Sequence, residues 1–330
     1  MPDETKFRLR VPGLPGGFAD MPLAARALLV AVILVVIGAI AAPSTVNAAA
    51  ILSTLPYFAM LAVPSIGQHL VIQQRGFDLS VAGIMSFCAV IVTKLPNGST
   101  DLGVVLFYVV AALVIGAAAG AFSGAVVTYL GVPPLVTTIG VNAVLIGLTY
   151  YVSTGASVQA PPMLVTFFEG RFLYVPSTVW VLAIIAFIGV FVLTRTTIGR
   201  RFIAVSVNPE AAHAVGIPLK AYSTVTYALA GLAYAVAAVM LSGYLVSPTV
   251  LCGLPYLLAT IAAVVVGGNP IGGVTKGSLV ATVVGAFFLT YLAQLVTALG
   301  FSGAAEYLAE AIIVIGGVAL PEMARRARHA

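Results

Sequence analysis

Charge is what this sequence has least of. Asp, Glu, Lys and Arg together make 8% of its 330 residues, against about 25% in a soluble domain. A surface so poor in charge does not stay in water, so most of it faces lipid or other helices. Hydrophobic residues supply 61% of the chain and the mean hydropathy is +1.13. Cysteine is scarce too. Cys88 and Cys252 lie in apolar stretches; nothing in the sequence pairs them, and two small buried side chains account for them. The three histidines, His69, His213 and His329, are far apart and lack metal-ligand spacing.

Other absences narrow the function. Ionisable groups inside the apolar runs are nearly missing, which argues against an ion-coupled carrier with a buried relay and against an intramembrane hydrolase. The exceptions are Asp78, beside a helix break, and the i,i+4 pair Glu306 and Glu310 near the outer end of the last run, read as a solvated end-turn. No phosphate-binding loop is present. The nearest lookalike, Gly267 to Ser278, has glycines and Lys276, but that lysine follows Thr275 and no strand precedes it. No nucleophile–base or metal constellation marks an enzyme, so neither a cofactor nor a metal is expected in this chain. A net charge of +5 is not a nucleic-acid signal here. A protein that moves something without an energy source of its own is a passive pore or borrows energy from a partner.

What is present is a series of long apolar runs, such as 27–42, 108–130 and 277–299. A membrane barrel would instead show short alternating segments. The reading is therefore all-α: a polytopic transmembrane helical bundle of about ten spans. They fall at 23–43, 49–71, 79–95, 103–130, 134–153, 176–194, 221–243, 254–267, 276–299 and 304–321. Pro56 and Pro64 interrupt the second, and the eighth is short and runs into a glycine-rich stretch. An even count puts both termini on one side. With that side cytoplasmic, only Lys94 and Arg171 of the 15 lysines and arginines fall outside, which fixes the orientation.

Residues 1–22 read as a cytoplasmic lead, 23–321 as the membrane domain and 322–330 as a basic cytoplasmic tail that meets anionic lipid. The first apolar stretch is too long for a cleaved signal peptide. Aromatic residues such as Tyr150, Tyr151, Phe167, Tyr174 and Trp180 gather at the outer ends, as an interfacial belt or as the lining of an outer mouth. Gly116, Gly120 and Gly124 make a smooth stripe for close helix packing.

The longest cytoplasmic connection, 195–220, contains a short helix with strong punctuation. Asn208 suits the N-cap and Pro209 the first helical position. Glu210 lies at the positive end of the dipole. Gly216 can adopt the left-handed conformation that ends the helix, and Pro218 prevents a restart. A free helix of about two turns is not stable in water, so something holds it. Ala211, Ala212, Val215 and Ile217, mixed with Glu210 and His213, suit a groove on a partner; a helix lying on the bilayer is the other reading.

At this loop the sequence resembles a known family. Thr197 through Val205, Asn208 through Ala212, and Gly216-Ile217 are similar to the coupling segment of permeases of the ribose/xylose-type monosaccharide importers. These are ATP-binding-cassette transporters related more distantly to branched-chain amino acid permeases. Gly76-Phe77-Asp78-Leu79-Ser80-Val81 looks like the family's Gly-Ile-Asp-Leu-Ser-Val. Gly131 through Gly140 resembles its Val-Pro-Pro-Phe-Ile-Val-Thr-Leu-Gly run. Ile261 through Gly268, followed by Gly272-Gly273, resembles its Ile-Ala-Ala-Val-Val-Ile-Gly-Gly segment. The ordered match covers roughly residues 50–320.

The resemblance implies a bacterial inner-membrane importer. It would comprise two permease subunits, a cytoplasmic ATPase pair that binds the ATP and Mg, and a periplasmic solute-binding protein. The segment Asn208, Pro209, Glu210, Ala211, Ala212, His213, Val215, Gly216 and Ile217 would then be the coupling helix, flanked by Arg200 and Arg201. The interruptions at 76–83 and 267–277 suggest two pseudo-repeated halves with the solute path at the breaks. Phe77, Asp78, Ser80, Asn142, Gly267, Gly268 and Asn269 are the candidate lining residues, Asp78 alternatively being a helix cap.

The chain also departs from the family. No acidic residue stands in 254–260, Ser123-Gly124 replaces the usual Asn-Gly, and Ile146-Gly147 the frequent Arg-Gly. The solute is therefore left open beyond a small polar molecule, most simply a monosaccharide, as is pairing with a second copy or a different permease chain. A secondary carrier or channel without an ATPase is the competing reading.

Overall fold

The computed structural model describes residues 21–271, 276–305, 307–309, 311–312 and 315–316. Seven helices are long and apolar enough to cross a membrane. They are α1 (Leu23–Ala41), α2 (Ala48–Gln73), α4 (Leu102–Tyr129), α5 (Pro134–Ser153), α7 (Ser177–Arg195), α10 (Leu219–Leu245) and α12 (Leu279–Ala298). Two shorter apolar helices, α3 (Val81–Lys94) and α11 (Tyr256–Val266), lie among them. The remaining helices are α6 (Pro162–Glu169), α8 (Thr197–Val207) and α9 (Pro209–Ala214).

Nine of the expected spans thus coincide with a helix, two of them too short to cross alone. Half of the tenth, 304–321, lies outside the described residues, and its described positions are helical; Glu306 and Glu310, most of the lead and the basic tail lie outside them.

Local chemistry starts these helices where it should. Asn47 accepts the Ala50 N–H at 2.7 Å, Asp101 the Gly103 N–H at 2.7 Å and Ser278 the Ala281 N–H at 3.2 Å. Each side chain satisfies an orphan donor of a first turn. The prolines of α2 do not interrupt it; the helix runs unbroken for 26 residues with Pro56 and Pro64 inside. Nearby hydroxyls fold back on their own helix, Thr54 on Ala50 O and Ser65 on Leu61 O, and proline within a membrane helix is tolerated where neighbouring helices pack on it.

The middle of the bundle is α10, which packs most extensively on α4 and then on α2 and α3. Its Tyr227 and Tyr234 are the largest fully buried side chains. The glycine stripe explains the fit. A Cβ at Gly116 would stand 2.7 Å from Gly231 O, one at Gly124 would stand 2.8 Å from Thr224 Cα, and Gly120 meets the Tyr227 carbonyl. Backbone lies on backbone, which is how helices associate without a hydrophobic drive. By contrast α1 and α7 leave Val36, Ile37, Ile184 and Phe187 exposed on the outside of the bundle, surfaces for lipid or another subunit. Cys88 and Cys252 are both free and buried.

Cross-chain hydrogen bonds sort into two ends. At one end Lys94 Nζ donates to Ser153 O at 2.8 Å and Thr154 Oγ1 at 3.0 Å, and Ala160 N to Val246 O at 2.7 Å. Here α6 packs on α10. A two-stranded hairpin, β1 (Arg171–Phe172) and β2 (Val175–Pro176), turns through Leu173 and Tyr174 at φ 52 and 64. At the other end lie α8, α9 and the Thr128–Thr224 hydroxyl pair at 2.9 Å.

Candidate coupling segment and helix breaks

The segment 195–220 folds as two helices. Thr196 caps α8 by accepting the Gly199 N–H at 3.2 Å. Gly199 presses on the backbone of Leu193, so α8 folds straight back on the end of α7. Phe202, Val205 and Ser206 form its buried face, while Arg200 and Arg201 are exposed.

The next helix, α9, has the ends its sequence specifies. Asn208 Oδ1 accepts the Ala211 N–H at 3.0 Å, Pro209 occupies the first turn, and Gly216 sits at φ 80. The Ile217 N–H returns to Ala212 O at 3.0 Å and the Gly216 N–H to His213 O at 2.9 Å. Ala212 is buried, and Pro209 and Ile217 are half-buried. Asn208, Glu210, Ala211, His213, Val215 and Gly216 are exposed, Val215 at 76%. The segment therefore presents an apolar knob flanked by an acid, an imidazole and two arginines.

The base of this unit is clamped by the chain itself. Gln73, Gln74 and Arg75 end α2. Gln74 Nε2 donates to Phe202 O at 2.9 Å, Arg75 Nε to Ser206 O at 3.1 Å and Arg75 Nη2 to Val207 O at 3.0 Å. The carbonyls of Ser206 and Val207 belong to the last turn of α8 and have no partner within their own helix. Gln73 Nε2 donates to Ser206 Oγ at 2.6 Å, and that hydroxyl donates to Gln73 O at 2.6 Å.

The first break follows directly. Arg75 has φ 65, and the chain turns back into α3. Asp78 Oδ1 accepts the Ser80 N–H at 2.9 Å and the Ser80 hydroxyl at 2.6 Å. Those groups precede the first helical residue, so the carboxylate shapes the approach to α3 rather than capping its first turn. Asp78 and Ser80 are fully buried, and the Tyr234 hydroxyl donates to Gln68 Oε1 of α2 at 2.8 Å. Asn142 is half-buried and structural in its contact, Oδ1 accepting Gly83 N at 2.7 Å, while Thr138 one turn earlier accepts Leu79 N at 3.0 Å.

At the second break Gly267 lies against the Ala281 backbone and Gly268 has φ 74. Asn269, 6% exposed, donates to Val264 O at 3.2 Å and Thr282 Oγ1 at 3.0 Å, and accepts Ser278 N at 2.6 Å. Thr282 meets His69 Nδ1 at 2.9 Å, and Gly277 N donates to Gln73 Oε1 at 2.8 Å. Gly272 and Gly273 lie outside the described residues.

The structure brings the two breaks together. Phe77 and Leu79 of the first share an apolar cluster with Ile72, Val264, Val265 and Ile271. A cleft of about 180 Å³ opens beside them, with His69, Gln73, Phe202, Lys276 and Ser278 in its wall. Sequence reasoning passed over His69, Gln73, Arg75, Ser206 and Thr282. The available signal was a Gln-Gln-Arg run closing an apolar span one turn after Gln68-His69.

A family model described as branched-chain amino acid transport system / permease component matches residues 47–318. The chain belongs to this family. It is a transport subunit and not an enzyme, a multi-pass protein of the bacterial inner membrane whose ATPase is a separate partner. It is 28% identical to the ribose import permease protein RbsC of Escherichia coli K12, over 88% of this chain and 91% of that one. The autoinducer 2 import system permease protein LsrC of Photorhabdus luminescens is 30% identical over 71% and 70%. The D-allose transport system permease protein AlsC of Escherichia coli K12 is 29% identical over 68% of each chain. No solved structure matches the chain.

Proposed function

We propose that this permease forms the path for a monosaccharide in a binding-protein-dependent importer, and that α9 is the lever through which a cytoplasmic ATPase drives it. The relatives named for ribose, autoinducer 2 and allose support a small polar solute. The observation that carries the mechanical part is α9 itself: capped at both ends, clamped at its base through α8, and exposed over Ala211, His213 and Val215.

In this reading the end bearing α8 and α9 is cytoplasmic, with both termini on that side of about ten spans. The hairpin around Tyr174 faces the periplasmic binding protein. Arg200 and Arg201 flank the ATPase contact. ATP and Mg bind only in the partner. Two permeases, identical or different, enclose the solute path. The breaks at 76–80 and 267–269 are its gate, one in each half of the fold. Their lining residues Asp78, Ser80 and Asn269 are buried here, as a closed gate requires.

Co-purification in detergent, followed by reconstitution with the ATPase and binding protein, tests the proposal. ATP hydrolysis stimulated by the loaded binding protein is expected. Solute movement at full rate by the permease alone would overturn it in favour of a carrier or channel.

A further inference from the structure

We propose that Gln73 is the positioning residue that transmits movement of α9 to the helix breaks. The inference rests on the coupling reading above and assigns its route.

Gln73 is 4% exposed and bonded in two directions. Toward the coupling segment, its Nε2 donates to Ser206 Oγ and its backbone carbonyl accepts from the same hydroxyl, both at 2.6 Å. Only Val207 and Asn208 separate Ser206 from Pro209, the first residue of α9. Toward the second break, its Oε1 accepts Gly277 N at 2.8 Å. Ser278, the next residue, caps α12 and donates its own N–H to Asn269 Oδ1. Asn269 reaches Thr282, and Thr282 meets His69, one turn before Gln73 on α2. The chain of bonds closes on itself through the backbone of α2.

Residue type matters at two points of this ring. A primary amide donates to a hydroxyl and accepts from a backbone N–H at once; neither a carboxylate nor an apolar side chain does both. At Gly277 a Cβ would strike Gln73 Oε1, so the bond falls on the loop's backbone itself. Buried direct hydrogen bonds are strong and directional. A shift of α9 pulls Ser206, and Gln73 carries that pull to the second break, while Gln74 and Arg75 hold the end of α8 to α2.

The test uses the assembled importer in nanodiscs and needs no solute. Spin labels go on Leu130→Cys and Lys276→Cys, both exposed at this end, in a Cys88→Ala, Cys252→Ala background. Pulsed electron–electron resonance reads their separation before and after trapping with ATP and vanadate. In the parent a change in distance is expected. Gln73→Met and Ser206→Ala should hydrolyse ATP within twofold of the parent but lose most of that change. Ser206→Thr, which keeps the hydroxyl, should restore it.

A full distance change in both variants overturns the inference, as does a parent that hydrolyses ATP without any change. Loss of assembly and hydrolysis in Ser206→Ala would make the contact a structural prop and also overturn it. A parent that never binds or stimulates an ATPase instead sinks the coupling reading, and the inference with it.

Discussion

Arg75 reaches across 131 positions of sequence to put Nε on the carbonyl of Ser206, at 3.1 Å. Its Nη2 takes the neighbouring Val207 carbonyl at 3.0 Å. One planar guanidinium thereby closes the end of α8 and fixes the point from which α9 departs. Lysine offers a point charge instead of this fork. Arg75→Lys should therefore lower ATPase stimulation several-fold with little effect on expression, and Arg75→Ala should lower it further; stimulated hydrolysis in nanodiscs reads both.

Gly216 ends α9 at φ 80, with nothing within 4 Å of the place a Cβ would occupy. A substitution there acts through backbone conformation alone, at about 1–2 kcal/mol for a left-handed residue. Gly216→Val is expected to reduce stimulated ATP hydrolysis about tenfold, and Gly216→Ala less. The thermal midpoint of the isolated permease should barely move in either.

At the other end of α9, Asn208→Ala removes the bond to the Ala211 N–H and about 1 kcal/mol of capping. The affinity of the permease for its ATPase, titrated by fluorescence, should fall about fivefold. Unchanged affinity would mean that α9 is held by its partner regardless of its own caps.

Asp78 separates a structural role from solute contact. Asn at this position keeps an oxygen for the Ser80 N–H, whereas Ala leaves that buried donor without its partner. Asp78→Asn should retain most binding-protein-dependent uptake of the radiolabelled monosaccharide that stimulates the assembled importer, and Asp78→Ala little. Equal loss in both, with normal stability, would point to the carboxylate acting on solute.

Helix positions were legible because a membrane imposes long apolar runs, and their ends follow local chemistry at Asn47, Asp101 and Ser278. The reading of Pro56 and Pro64 as interruptions failed because α2 runs through both, packed against its neighbours along its length, and such packing lets a membrane helix tolerate proline. The helix α8 was missed although Ile198, Phe202 and Val205 recur at helical spacing; the arginines between them read as loop. The caps of α9 are local and were visible. The clamp from Gln73, Gln74 and Arg75 was not, because it pairs residues 128 to 133 positions apart, and distance in sequence hides such partners.

The central claim is that α9 faces a motor on the inner side of the membrane. Site-specific photo-crosslinking from Val215, the most exposed apolar side chain of the segment, measures this directly in inverted membrane vesicles expressing the whole importer. The expected product is one adduct with the chain that carries the phosphate-binding loop, diminished by Gly216→Val. An adduct with the periplasmic binding protein, or none in vesicles where the ATPase is present and active, would contradict the account.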